Sequence, residues 1–157
     1  MDVIAEDLGT LDEKVFDLMD ETGYPGMKVL QFAFDSGNTN FYLPHRYKKN
    51  CVVYTGTHDN DTTTGWYATA SEKARDKVRR YMNTDASQVS WDFIRTCFGS
   101  PARFAIIPVQ DLFCQGSDCR MNTPGKADGN WAYRMKKELL TSDVAKRLYD
   151  VTKLYGR

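Results

Sequence analysis

Residues 51–66, CVVYTGTHDNDTTTGW, constrain the fold more than any other stretch of the chain. The run Cys51, Val52, Val53, Tyr54 is apolar and β-branched, and a polar cluster of His58, Asp59, Asn60 and Asp61 follows it. It reads as a buried strand that presents those four residues at its end. A solvated turn in which an aspartate caps the next segment is the alternative, because Asp, Asn, Thr and Gly all suit turns. The same arrangement recurs near the start, where the apolar Val3, Ile4 and Ala5 run directly into Glu6 and Asp7, then Gly9. In a barrel of alternating strands and helices, the strand ends facing the loops to the following helices are where catalytic residues collect.

The remaining pattern also alternates. Thr10 and Glu13 fit a capping box, Leu11, Val15, Leu18 and Met19 form one apolar stripe behind it, and Gly23 and Pro25 stop that helix. Residues 27–34, MKVLQFAF, have only Lys28 and Gln31 as polar members and read as a strand buried on both faces, the parallel-sheet signature. Residues 35–50 form a long connection with room for at most a short helical turn. Ser71 caps a helix to Met82 whose Ala74, Val78, Tyr81 and Met82 share a face, and residues 87–98 form a second helix ended by Gly99, Ser100 and Pro101. Residues 103–109 read as a strand that stops before Gln110 and Asp111, because Pro108 cannot continue it. A loop over residues 114–130 and two helices, 131–140 and 143–155, the second capped by Ser142, complete the chain. This order predicts an α/β fold with four short parallel strands. With its first strand beginning almost at residue 1, the chain is expected to be the back half of something larger.

Composition narrows the function classes. The 21 basic and 21 acidic side chains cancel, which argues against a nucleic-acid or anionic-membrane surface. No apolar run is long enough to span a bilayer, and 157 residues make one ordinary domain. Cys51, Cys97, Cys114 and Cys119 show no CxxC spacing and follow no signal segment, so they read as reduced thiols of a cytoplasmic protein. A zinc site from Cys114, Cys119 and a histidine matches no common ligand spacing; neither metal nor cofactor is expected. Aromatic side chains make up 13% of the residues and supply either stacking faces for sugars or an ordinary core.

The pieces IAEDLG (4–9), PGMKVLQFAF (25–34), YLPH (42–45), VVYTGTHDNDT (52–62), PVQD (108–111), RMNTPG (120–125) and GNW (129–131) occur in one order across nearly the whole chain. Together they resemble the amylomaltases, also called 4-α-glucanotransferases or disproportionating enzymes, which form glycoside hydrolase family 77 of the wider α-amylase group. The resemblance implies a (β/α)8 TIM barrel of which residues 1–157 are the C-terminal half, strands five to eight, with the N-terminal half absent. It further implies that Glu6 is the acid/base glutamate after strand five and Asp59 the transition-state-stabilising aspartate after strand seven, with His58 beside it. The aspartate nucleophile after strand four would lie before Met1, so the isolated chain is expected to be inactive.

A retaining glycosyl transfer needs a carboxylic acid to protonate the departing oxygen and a carboxylate roughly 5 Å away to attack the anomeric carbon. By this reading Asp59 and His58 hold ring hydroxyls of a maltooligosaccharide donor, and a glucose or oligosaccharide acceptor replaces water. Arg120 and Asn122 are candidates for substrate contact or for fixing their loop. His45 is expected near the substrate groove, and Tyr42, Trp66 and Trp131 are stacking candidates, with packing the expectation for Trp131. Asp7 reads as a structural partner, and Asn60 and Asp61 as residues that pin the turn. Expected partners are the sugar substrates and the missing barrel half, with no nucleic acid and no membrane. A non-catalytic glucan-binding or assembly half-barrel, and a related α-amylase-type hydrolase, stand as the alternatives.

Overall fold

The computed structural model describes residues 3–157; Met1, the expected boundary of the barrel half, lies outside the described residues. The fold is α/β, with three parallel strands in the order β1 (Gly26–Val29), β2 (Cys51–Tyr54) and β3 (Phe104–Ile106). Met27 pairs with Val52, and Val52 with Phe104. Six α-helices are described: α1 (Glu13–Thr22), α2 (Thr63–Thr69), α3 (Glu72–Met82), α4 (Val89–Phe98), α5 (Val109–Leu112) and α6 (Ser142–Leu154).

Paired residues of a parallel sheet point to the same side, so this register sorts the side chains into two faces. Val53 and Ala105 point toward the helices, where Phe34, Phe93, Ile94, Cys97 and Trp66 close the main core. The opposite face carries Met27, Val29, Val52, Tyr54, Phe104 and Ile106. On it Phe104 is 49% and Ile106 43% exposed.

The expected fourth strand at Val3–Ala5 is not formed. One backbone bond, Ala5 N–H to the Pro25 carbonyl at 3.0 Å, joins this segment to its neighbour. The next donor, Met27 N–H, goes instead to the Asp7 carboxylate at 2.5 Å, and a side chain that takes a ladder donor ends the ladder. The Lys28 ammonium lies 3.1 Å from the other Asp7 oxygen, so Asp7 is the structural partner its position suggested.

Other boundaries move as well. The strand expected over 27–34 ends at Val29 and turns into a 3-10 helix, Leu30–Ala33, whose Gln31 N–H bonds to the Thr55 carbonyl at 3.3 Å. Asp12, not Thr10, caps α1 by accepting from Lys14 N–H at 3.2 Å, so the capping box is absent; Gly23, at φ 67°, ends the helix as expected. The short helix α2 was not anticipated because its apolar stripe is only Trp66 and Tyr67; Thr62 caps it by accepting from Gly65 N–H at 3.1 Å. Helices α3 and α4 match expectation, with the Ser71 hydroxyl accepting from Ala74 N–H at 3.2 Å. Thr141 rather than Ser142 caps α6. The helix expected over 131–140 is reduced to a 3-10 turn, Lys137–Leu139, in a segment that Trp131 enters at φ 60°. Among the described residues no helix is long and apolar enough to cross a membrane.

Candidate active site

The loop after β2 is built to be rigid before it is built to react. The Asn60 side-chain oxygen accepts from Thr57 N–H and from the Thr57 hydroxyl, both at 2.8 Å, and Asp61 Oδ1 accepts from Thr62 N–H at 2.8 Å. These are the local side-chain to backbone bonds by which Asn and Asp hold turns. From outside, Gln31 Nε2 donates to the Asp61 carbonyl at 2.9 Å and Ser117 Oγ to Asp61 Oδ2 at 2.6 Å. A Cβ on Gly56, at the start of the loop, would fall 2.6 Å from Gln31 Nε2 and push aside the amide that holds the Asp61 carbonyl.

His58 and Asp59 stand on that frame. His58 Nε2 lies 3.2 Å from Asp59 Oδ1, and the same oxygen accepts from Asn122 Nδ2 at 2.5 Å. Arg120 donates to the Asp59 carbonyl at 2.6 Å and to the Asn122 carbonyl at 2.7 Å, and Asn122 N–H reaches the His58 carbonyl at 3.1 Å. Asp59 Oδ2 takes no hydrogen bond among the described residues, so one carboxylate oxygen is fixed and the other is available to a ligand. Trp131 is 55% exposed, and its ring lies against the imidazole of His58, with centroids 5.1 Å apart. Its packing partner is therefore a site residue and not the core.

Glu6 opens onto the same space. A cleft of about 870 Å³ is lined by Glu6, Tyr54, His58, Asp59, Arg120 and Pro124, among others, and it lies beyond the C-terminal ends of the parallel strands. Glu6 makes no hydrogen bond or ion pair among the described residues. Burial pushes the Tyr54 hydroxyl above its ordinary pKa, and the negative charge of Glu6 adds to the shift. Tyr54 is a cleft residue that the sequence reading missed; its signal is the alternation of β2, which turns Tyr54 away from the helix-facing Val53.

Not every candidate gathers here. Tyr42 forms a T-shaped ring pair with Phe32, a cleft residue, at 5.3 Å between centroids, and is not itself among the lining residues. Trp66 packs on Phe93 in the core. His45 lies in a separate cavity of about 500 Å³ beside the segments that lead into β2 and β3, with Nδ1 3.0 Å from the Tyr81 hydroxyl. All four cysteines are free, and burial raises the pKa of Cys97 well above the usual thiol value. Among the described residues no group of three or more His, Cys, Asp or Glu is placed to hold a metal ion.

The sequence profile described as 4-alpha-glucanotransferase, glycoside hydrolase family 77, matches residues 1–141. The chain belongs to this family. A 4-alpha-glucanotransferase of Synechocystis is 48% identical over 157 residues, covering 99% of this chain and 31% of that protein. One from Clostridium butyricum is 42% identical over 159 residues, covering 100% and 33%. Among solved structures, an amylomaltase from Streptococcus agalactiae in complex with acarbose superposes with a TM-score of 0.94 at 35% identity, covering 98% of this chain and 32% of its own. The chain thus spans about a third of the length of the family 77 relatives it matches.

Proposed function

We propose that residues 1–157 are strands five to eight of a (β/α)8 barrel and supply two of the three carboxylates of a 4-α-glucanotransferase. The observation that carries this reading is that Glu6 and Asp59 open onto one cleft beyond the C-terminal ends of parallel strands, where barrels of this kind keep their chemistry. The sheet supports it as well. Its second face bears Phe104 and Ile106 half in solvent, and barrel strands bury both faces. Residues 3–8 take the place of the fifth strand, and β1, β2 and β3 those of the sixth to eighth.

In this proposal the preceding barrel half brings the aspartate nucleophile. Glu6 protonates the glycosidic oxygen as the nucleophile attacks the anomeric carbon, then as a carboxylate takes the proton from the acceptor hydroxyl. Among the described residues Glu6 has no fixed partner, which suits a group that gives and takes a proton. Asp59, oriented through Oδ1, offers Oδ2 to the donor ring, where charge-assisted hydrogen bonds tighten as the ring flattens. Arg120 and Asn122 position Asp59; His58 contacts the sugar beside it; Tyr42 acts through Phe32 at the cleft wall, and His45 lies too far toward the other end of the strands to share this role. Maltooligosaccharide is the donor and glucose or an oligosaccharide the acceptor. The free cysteines support a cytoplasmic setting.

The test is to join this chain to the preceding portion of the Synechocystis relative and to supply maltotriose. Expected products are glucose and maltopentaose from the joined protein and none from the chain alone. Glucose with maltose and no longer glucan would make the protein a hydrolase. No turnover by the joined protein would favour a non-catalytic half-barrel, and turnover by the isolated chain would overturn the missing nucleophile.

A further inference from the structure

Asp111 is an unusual residue for a core. It is 1% exposed, it sits in the short helix α5 just after β3, and no cation pairs with it among the described residues. Three donors surround it: the Thr55 hydroxyl at 2.5 Å, Thr63 N–H at 2.8 Å and the Thr63 hydroxyl at 2.8 Å. Burial still raises its pKa, with the bonds from Thr55 and Thr63 opposing the shift. Burying a carboxylate without a counter-charge is a poor way to gain stability. What this one does is join two places that the sequence separates.

Thr55 is the residue just after β2 and Thr63 the first residue of α2, so the two lie at the two ends of the loop over residues 56–62 that bears His58 and Asp59. One carboxylate therefore closes the base of that loop. The same segment of chain then supplies Ser117 to Asp61, and Arg120 and Asn122 to Asp59. Among the described residues, everything that orients Asp59 from outside its own loop, apart from Gln31, comes from the stretch that begins at Asp111.

We infer that Asp111 is a positioning residue for sugar binding at the cleft: by clamping Thr55 and Thr63 it sets the geometry of the loop that aims Asp59 and His58. This rests on the reading of Asp59 as a sugar-binding carboxylate, and it adds a residue that never touches the sugar. Asparagine preserves the clamp, because its oxygen can accept from Thr63 N–H while its amide donates to both threonine hydroxyls; alanine abolishes it.

The test compares Asp111→Ala, Asp111→Asn and the milder Thr63→Val. Amide hydrogen exchange is read on the 157-residue chain, and acarbose affinity on the joined protein described above. In Asp111→Ala the amides of residues 57–62 should exchange at least about tenfold faster while those of α3 keep their rates, since the change is a local opening. Thr63→Val should do the same to a smaller degree, and Asp111→Asn should restore both slow exchange and acarbose affinity. Unchanged loop exchange in Asp111→Ala, or a uniform rise across the chain that Thr63→Val repeats, overturns the clamp irrespective of any sugar. Release of the loop with acarbose affinity unaltered overturns the positioning role. A wild-type joined protein that neither binds acarbose nor turns over maltotriose refutes the glucanotransferase reading, and the positioning role with it, while the exchange result on the clamp stands separately.

Discussion

The loops that carry Asp59 and Glu6 share one cleft and are built on opposite plans. Asp59 has its Oδ1 held by Asn122, its carbonyl by Arg120 and its loop by Asn60, Asp61 and Gln31. Glu6 is exposed and makes no hydrogen bond or ion pair among the described residues, while its neighbours are tied down, Ala5 to Pro25 and Asp7 to Met27 and Lys28. The difference matches the roles proposed for the two carboxylates. A stabiliser of developing charge is effective when it is pre-aimed, because no reorganisation is then needed at the moment of reaction. An acid/base group must change protonation state within one cycle, and permanent strong partners would hold it in one state.

Replacing each carboxylate's surroundings should expose that contrast. Glu6→Gln in the joined protein should lower the rate of glucose release from maltotriose by about a thousandfold, the scale of a lost general acid/base, and leave the urea midpoint where it was. A large loss of stability would show that Glu6 has a structural load and break the contrast. Asn122→Ala should lower kcat/KM roughly 10–100-fold, as expected for one hydrogen bond to a charged group, and should also quicken amide exchange around His58. Equal kinetics in wild type and Asn122→Ala would mean that Asp59 does not need fixing.

Gly65→Ala tests the frame itself. The added Cβ would meet the Ser117 hydroxyl and lie 2.6 Å from Asp61 Oδ1, so the anchor from Ser117 must shift. A stability loss of about 1–3 kcal/mol is expected by urea denaturation, together with a weaker acarbose affinity. A neutral substitution would show that this side of the loop has slack.

The smallest effect is a slope. Asp111 has a raised native pKa, so between the ordinary aspartate value near 3.8 and the raised one the native state binds more protons than the unfolded state. Wild-type stability therefore loses ground as pH rises through that window. Asp111→Asn removes the titration, so its stability relative to wild type should improve from pH 3.5 upward and then level off. A difference that shrinks with rising pH would show that Asp111 is more acidic in the fold, held by its three donors more strongly than burial opposes them.

Much of this was legible in the sequence where local chemistry decides the structure. The strand at Cys51–Tyr54, the Ser71 cap, the Gly23 and Gly99 stops and the turn-pinning Asn60 and Asp61 follow from residue type and short spacing alone. Caps were misplaced by a residue or two, and the larger misreadings arose where a distant group takes over. Val3–Ala5 has the composition of a strand, but the Asp7 side chain takes the donor that a ladder would use. Residues 30–33 look like more strand, yet Gln31 turns to meet Thr55 and Asp61. Residues 131–140 carry a helical stripe, while Trp131 N–H is spent on the Met121 carbonyl at 2.7 Å and its ring on His58. In the site, His58, Asp59 and Glu6 were visible as polar residues at the ends of apolar runs. Asp111 was visible only as a letter in a motif, because its partners lie 48 and 56 positions away.

The contact between Trp131 and His58 gives the molecule an optical signal at its cleft. Of its three indoles, Trp91 is buried and Trp66 packs in the core, so Trp131 alone meets solvent broadly. Its emission should be red-shifted and open to acrylamide, and through the contact with His58 it should follow the occupancy of the cleft without any label, while the two inner indoles supply a constant background.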